Sequence, residues 1–177
     1  KMFEILGFTP EKAEEQFASI AERYTTLAKE VNLPDEQRKQ VMLNTPYRDS
    51  WFIPSEQNYM ARLIRDAGGK PFTIEGPGNS SQPVDMEQAY IWASEADVWL
   101  NVGGCNSLEE PTRQNPKFAD VKAVREMQVY NNNGRQTPQG GSDFWESGVV
   151  RPDVILQDRA TILQGRNEDL YYYKQLK

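Results

Sequence analysis

The chain has 177 residues, with 20 Lys and Arg against 26 Asp and Glu, no histidine and one cysteine. A net charge of −6 opposes bulk attraction to nucleic acid or to an anionic membrane surface. The missing histidine excludes Ser–His and Cys–His catalytic pairs and imidazole zinc sites, and a solitary cysteine excludes an internal disulfide or a thiolate cluster.

The length suits one domain with a real core. No apolar run reaches the roughly 18 residues that a bilayer-spanning helix needs. The start at Lys1, without the regions of a signal peptide, reads as a processed product or an excised piece.

Residues 1–6 read as a helix end stopped by Gly7. Thr9 is a helix cap with Pro10 at the permitted first position. Phe17, Ile20, Ala21, Tyr24, Leu27, Ala28 and Val31 follow at helical spacing and predict one buried stripe, ended by Asn32 and Pro34. Residues 40–44 (QVMLN) read as a first strand and 45–54 as a loop. Ser55 is the expected cap of a helix with Tyr59, Met60, Leu63 and Ile64 inward, closed by Gly68-Gly69. Residues 71–75 form a second short strand and 76–83 a turn-rich connection.

Asp85 opens the next helix, with Gln88 three residues on in a capping-box arrangement. Residues 97–102 (DVWLNV) read as a strand covered on both faces, followed by Gly103-Gly104 and a short helix over 107–114. Residues 121–124 and 128–130 resemble two short strands around a turn, and 131–148 a loop of glycines, asparagines and aromatics. Pro152 starts a final helix to Leu163, and the tail carries Leu170-Tyr171-Tyr172-Tyr173.

Strands alternating with helices predict an α/β fold, a three-layer lobe whose mostly parallel central sheet is flanked by helices. Neither a repeat nor a domain-sized break in composition interrupts it. Ligands of such sheets sit beyond the carboxyl ends of the strands, which directs attention to loops 45–54, 76–83, 103–106 and 131–146.

Tyr47, Trp51 and Phe52, with Arg48, can wall a large planar ligand, or Trp51 and Phe52 can simply plug the core edge. Gly103 and Gly104 allow close backbone approach, but neither GxGxxG nor GxxxxGK[ST] occurs, which disfavours a nucleotide-binding regulatory domain. Cys105 lacks any histidine to activate it and reads as a packed thiol before it reads as a nucleophile. Arg135 closes an Asn131-Asn132-Asn133-Gly134 turn, pointing at a ligand or at solvent. Asp143 and Glu146 have an acid–base spacing without a nucleophile nearby, so the loop around Phe144-Trp145 reads first as closing the domain. By itself, Glu87 in the first turn of its helix reads as a dipole partner.

VDMEQAYIWASEADVWLNVGG (84–104), GGSDFWESGVVRPDVILQD (140–158) and the terminal LYYYKQL resemble the substrate-binding proteins of iron-complex and cobalamin ABC importers, in a Bacteroidetes-type variant. The resemblance corresponds to that family's C-terminal lobe. It implies that residues 1–7 end an interlobe spine helix, that 8–177 form the C-terminal α/β lobe, and that the N-terminal lobe is absent. One departure is that the family's histidine–proline pair is replaced around Gln164-Gly165-Arg166.

The resemblance further implies a non-catalytic protein with no intrinsic cofactor and no metal ligands of its own. It would capture a metal chelate, an iron(III) siderophore or alternatively cobalamin or haem, and hand it to ABC permease subunits. The expected cleft residues are Tyr47, Arg48, Trp51, Phe52, Gly104, Cys105, Asn106, Asn132, Arg135 and Trp145, and the expected permease-docking residue is Glu87. Arg48 and Arg135 suit an anionic ferric siderophore, whereas Trp51 and Tyr47 suit a corrin or porphyrin face. The implied location is periplasmic or otherwise extracytoplasmic, peripheral to the membrane, with a lipoprotein anchor on the missing N-terminal part. A small α/β enzyme using Cys105 or Asp143/Glu146 is the reading from a different class.

Overall fold

The computed structural model describes residues 9–76 and 78–177, so the expected spine end at 1–7 lies outside the described residues. Helix α1 spans Pro10–Glu30, and the Thr9 side chain accepts the Lys12 N–H at 3.4 Å. Val31 joins the core, with Tyr24, Leu27 and Ala28 packed against it. Phe17 departs from the expected stripe and is 65% exposed, although Ala13 and Ile20 on the same helix are buried.

The central sheet has the order β3-β1-β5-β6-β7. Strands β1 (Gln40–Leu43), β3 (Lys70–Pro71), β5 (Val98–Leu100) and β6 (Val129–Asn131) run parallel, and β7 (Lys174–Gln175) pairs antiparallel with β6. Side chains alternate across it with the period of two that a pleated strand imposes. Val41, Leu43, Val98, Leu100 and Tyr130 enter one core cluster, with α1, α2 (Tyr59–Asp66) and α6 (Pro152–Leu163). Met42, Trp99 and Val129 enter the other, with α3 (Met86–Glu95) and α5 (Lys122–Arg125). Helices therefore cover both faces, as the sequence pattern predicts. A short α4 (Glu109–Gln114) follows β5.

Four local expectations are corrected. The 45–54 loop contains β2 (Ser50–Pro54), paired antiparallel with β4 (Ser81–Asp85), so the 76–83 connection is also partly strand. Its alternation sends Trp51 and Ile53 inward and Phe52 outward. Residues 121–124 are mostly helix α5, with Val121 as its extended cap: Ala123 and Val124 are buried on a single turn. Asn58, not Ser55, caps α2 through its bond from Met60 N at 2.8 Å, while the Ser55 hydroxyl donates to the Gly78 carbonyl, and Tyr59 is exposed. The expected strand at 71–75 shrinks to Lys70–Pro71, and Gly68 ends the preceding helix at φ +85, the left-handed conformation glycine permits.

The tail is held from α6. The buried Asp158 carboxylate accepts the backbone N–H groups of Tyr171, Tyr172 and Tyr173 at 2.9, 2.6 and 3.1 Å. This folds the chain back so that β7 completes the sheet, a strand not anticipated from the sequence. Gly134 then donates to the Tyr172 carbonyl at 2.9 Å, and a Cβ at Gly134 would stand 2.8 Å from that oxygen. A second carboxylate, Asp153, ties α1 to α6: it meets Arg23 Nε at 2.7 Å and Arg151 Nε at 3.2 Å with 5% of its side chain exposed. Burial alone would raise the Asp153 pKa, but the two guanidinium groups outweigh it and hold the carboxyl below its ordinary range.

Asp158→Ala strands three buried N–H groups and lowers stability by about 3 kcal/mol, read as a lower urea midpoint; Asp158→Asn, which keeps one acceptor, loses less. Because the folded pKa of Asp153 is depressed, its contribution is present at neutral pH and is lost as pH falls through that folded value. Asp153→Asn is therefore less stable than the parent at neutral pH, and urea melts repeated below the ordinary carboxylate range show the gap closing.

Candidate ligand-binding cleft

Three neighbouring parallel strands end in asparagine at the same edge. The pairings Leu43↔Leu100 and Leu100↔Tyr130 put Asn44, Asn101 and Asn131 in register. Asn44 and Asn101 adopt φ values of 66 and 60, a left-handed geometry that asparagine tolerates better than most residues. Beyond them lie the loops after β1, β5 and β6. The Asn133 amide bridges the last two, donating to the Cys105 carbonyl at 3.2 Å and to Asn106 Oδ1 at 3.1 Å.

The edge leaves some expected ligand contacts open and buries others. Tyr47 (63% exposed), Phe52 (40%) and Trp145 (62%) stand in solvent, and Arg48, Gly104, Asn106 and Arg135 are exposed as well. Trp51 is corrected to a core residue. It is fully buried, its indole donates to the Leu43 carbonyl at 2.8 Å, and it packs on Trp99 with ring centroids 5.5 Å apart. Trp99 donates in turn to the Asn44 carbonyl at 2.6 Å. Cys105 is likewise enclosed: its thiol receives the Gln114 amide at 3.8 Å, and burial pushes its pKa up, away from a reactive thiolate. Asn132 is 8% exposed, with its N–H on the Asn131 side chain at 3.0 Å.

Two arginines lie over tyrosines at this edge. The Arg48 guanidinium stands 5.3 Å from the Tyr47 ring centre, in a loop whose Arg48 φ is 55. Arg135 stands 4.4 Å over Tyr171, and its Nε meets Asp143 Oδ2 at 2.9 Å. Hydrogen bonds from Ser147 and Arg135 hold Asp143 below the ordinary carboxylate range, so it is ionised at neutral pH. Gly134, Arg135, Gln136, Thr137, Gly141, Asp143 and Glu146 line an open cavity of about 480 Å³. Asp143 is thus engaged as a structural anion, which leaves the acid–base pairing with Glu146 without a free partner.

Glu87 lies in the first turn of α3, where the Asp85 side chain caps the helix by accepting the N–H groups of Glu87 and Gln88; Asp85 is also the β4 partner of Ser50, which bridges to Tyr47. It borders a cavity of about 390 Å³ with Met86, Tyr90, Asn115 and Lys117. Among the described residues, no group of three or more Cys, Asp or Glu is arranged to hold a metal, and no helix is long and apolar enough to cross a membrane. The asparagine row and Tyr171 escaped the sequence reading, although QVMLN, DVWLN and QVYN repeat one pattern: an apolar strand ending in asparagine.

A family model described as periplasmic binding protein matches residues 5–134. An uncharacterized lipoprotein of Methanocaldococcus jannaschii is 26% identical over 120 residues, 66% of this chain and 27% of that protein. Among solved structures, a TroA-like periplasmic binding protein, FepB, of Veillonella parvula superposes with a TM-score of 0.64 at 15% identity, covering 94% of this chain and 57% of that one. An ABC transporter substrate-binding protein of Listeria monocytogenes gives 0.61 at 16%, covering 88% and 58%. An ABC-type Fe3+-hydroxamate transport protein of Saccharomonospora viridis gives 0.58 at 17%, covering 88% and 50%. The chain spans roughly a quarter of the curated relative's length and 50–58% of these structures. The structural likenesses speak for the fold alone, but the family match covers most of the sequence: this chain belongs to the periplasmic binding protein family, whose members bind solutes and are not enzymes.

Proposed function

We propose that the chain is the C-terminal lobe, residues 8–177, of the substrate-binding component of an ABC importer, and that its cargo is an iron(III)-siderophore-type chelate. The observation that carries this reading is the family match together with an exposed aromatic and arginine edge at the carboxyl ends of β1, β5 and β6. Tyr47, Phe52 and Trp145 supply apolar faces, Arg48 and Arg135 supply charge for chelate oxygens, and Gly104 and Asn106 supply backbone and amide contacts. On this reading the iron arrives inside its chelator. Cobalamin and haem are the alternative cargoes, since the same aromatic faces accept a corrin or a porphyrin. The reading places the protein outside the cytoplasm, with a lipid anchor on a preceding segment, in keeping with its lipoprotein relative.

Glu87 is the proposed contact to permease arginines. It is exposed in the first turn of α3, where a partner's arginine can reach it.

Titration of the two-lobed protein with ferric siderophores, haem and cobalamin, followed by tryptophan fluorescence, gives tight binding of at least one metal chelate; absence of binding to all of them overturns the reading. Of the four tryptophans in this chain, Trp51 and Trp99 are enclosed and Trp92 is stacked on Phe72, so Trp145→Phe removes most of this lobe's share of the fluorescence response. Glu87→Ala abolishes uptake in cells while chelate affinity stays at the parent value, and a loss of affinity would show Glu87 to be misassigned.

A further inference from the structure

Arg159 is fully buried and forms no ion pair with any described carboxylate. Its Nε and Nη2 both donate to the Tyr173 hydroxyl, at 3.2 and 2.9 Å, and its Nη1 donates to the Met60 carbonyl at 3.0 Å. Tyr173 is buried too, and its hydroxyl lies 2.8 Å from Asn101 Oδ1. The proton inventory fixes the direction of this chain. The Tyr173 oxygen already accepts two guanidinium N–H bonds, so its single proton goes to Asn101. Asn101 must then present its oxygen to Tyr173 and its NH₂ away from it.

Asn101 sits at the carboxyl end of β5, in register between Asn44 and Asn131, where a ligand of this sheet type lies. Its residue is 7% exposed. Its amide nitrogen has no hydrogen-bond partner among the described residues.

We propose that Asn101 is a ligand contact of the cleft floor, a donor aimed and polarised by the buried Arg159–Tyr173 chain toward an anionic oxygen of the cargo. The assignment rests on the chelate reading above and narrows it to cargo carrying oxygen anions, such as catecholates. Hydrogen bonds in series polarise one another, and the buried positive charge lies at the far end of this one, so the Asn101 N–H₂ favours a negative partner. Tyr173 and Arg159 act through Asn101 as positioning residues.

Asn101→Asp is the decisive variant. The carboxylate still accepts from Tyr173 and tolerates the left-handed backbone, but it replaces the outward donor with an acceptor. The probes are gallium(III) tris-catecholate, a triply charged anion, and gallium(III) tris-hydroxamate, which is uncharged, the diamagnetic counterparts of the iron(III) chelates, titrated by NMR chemical shift so that affinity ratios are read even for weak binding. Asn101→Asp weakens the catecholate complex at least about tenfold, as loss of a hydrogen bond to a charged group implies, and leaves the hydroxamate complex within about threefold. The wild-type Asn101 side-chain amide signals move when the catecholate is added. Tyr173→Phe, which keeps the ring, lowers catecholate affinity in the same direction by a smaller factor. An equal loss for both probes marks Asn101 as merely structural and overturns the proposal, as does unchanged catecholate binding by Asn101→Asp. If the two-lobed protein binds haem or cobalamin but neither probe, this assignment falls while the importer reading stands; if it binds no metal chelate at all, both fall.

Discussion

The single carboxylate of Asp158 organises the functional edge from the opposite side of the sheet. By accepting three consecutive N–H groups, it turns the tyrosine tail back across the fold. Three tail residues then reach the strand-end loops. Tyr171 lies beneath Arg135, Tyr172 receives Gly134 and meets Ser147 at 2.7 Å, and Tyr173 holds Asn101. Phe144, next to the exposed Trp145, packs edge-on against both Tyr172 and Tyr173. Burial works against this anion and pushes its pKa up despite the three N–H bonds. The fold accepts that cost because no neutral side chain of similar size can satisfy three adjacent donors at once.

A second constraint explains why so much aromatic surface is internal. The carbonyls of Leu43 and Asn44 lie where β1 ends, and each is capped by an indole N–H, from Trp51 and Trp99. With Phe118 packed edge-on against both rings, the tryptophans form a plug beneath the strand ends. The plug fixes the turn that displays Tyr47 and Arg48, so Trp51 contributes to the cleft by holding its floor rather than by touching what lies above it.

Much of the fold was legible because it depends on local or periodic signals. Caps at Thr9 and Asp85, Pro152 at a helix start, and three apolar strands with intervening helices are all written in short windows of sequence. What was not legible depends on pairing across distance. The Ser50–Pro54 strand is defined by its partner at Ser81–Asp85, and β7 exists only because Asp158 delivers the tail to β6. The same limit applied at the edge. Exposure of Tyr47 and Arg48 followed from their loop, but Trp51 and Cys105 read as cleft residues because sequence position does not say which way a side chain turns. The repeated strand-terminal asparagine was visible in the sequence, but its meaning required the register that aligns the three strands.

The charges at the edge are distributed unequally, and this bears on what kind of anion the edge suits. Arg135 is already satisfied by Asp143 and stacked on Tyr171, so cargo contacting it must share it with an ionised carboxylate. Glu146 lines the same cavity, so that side of the edge carries more negative than positive charge. Arg48 has no carboxylate partner among the described residues and rests only on Tyr47. Lys174, whose Nζ meets Asn106 Oδ1 at 3.2 Å, likewise has no carboxylate partner among the described residues. The available positive charge therefore gathers on the β1 side and, through Lys174 and the Arg159 chain, around the end of β5. On the proposed reading, a chelate whose negative oxygens cluster there is favoured, because such selectivity depends on where cations remain unpaired more than on how many the sequence contains.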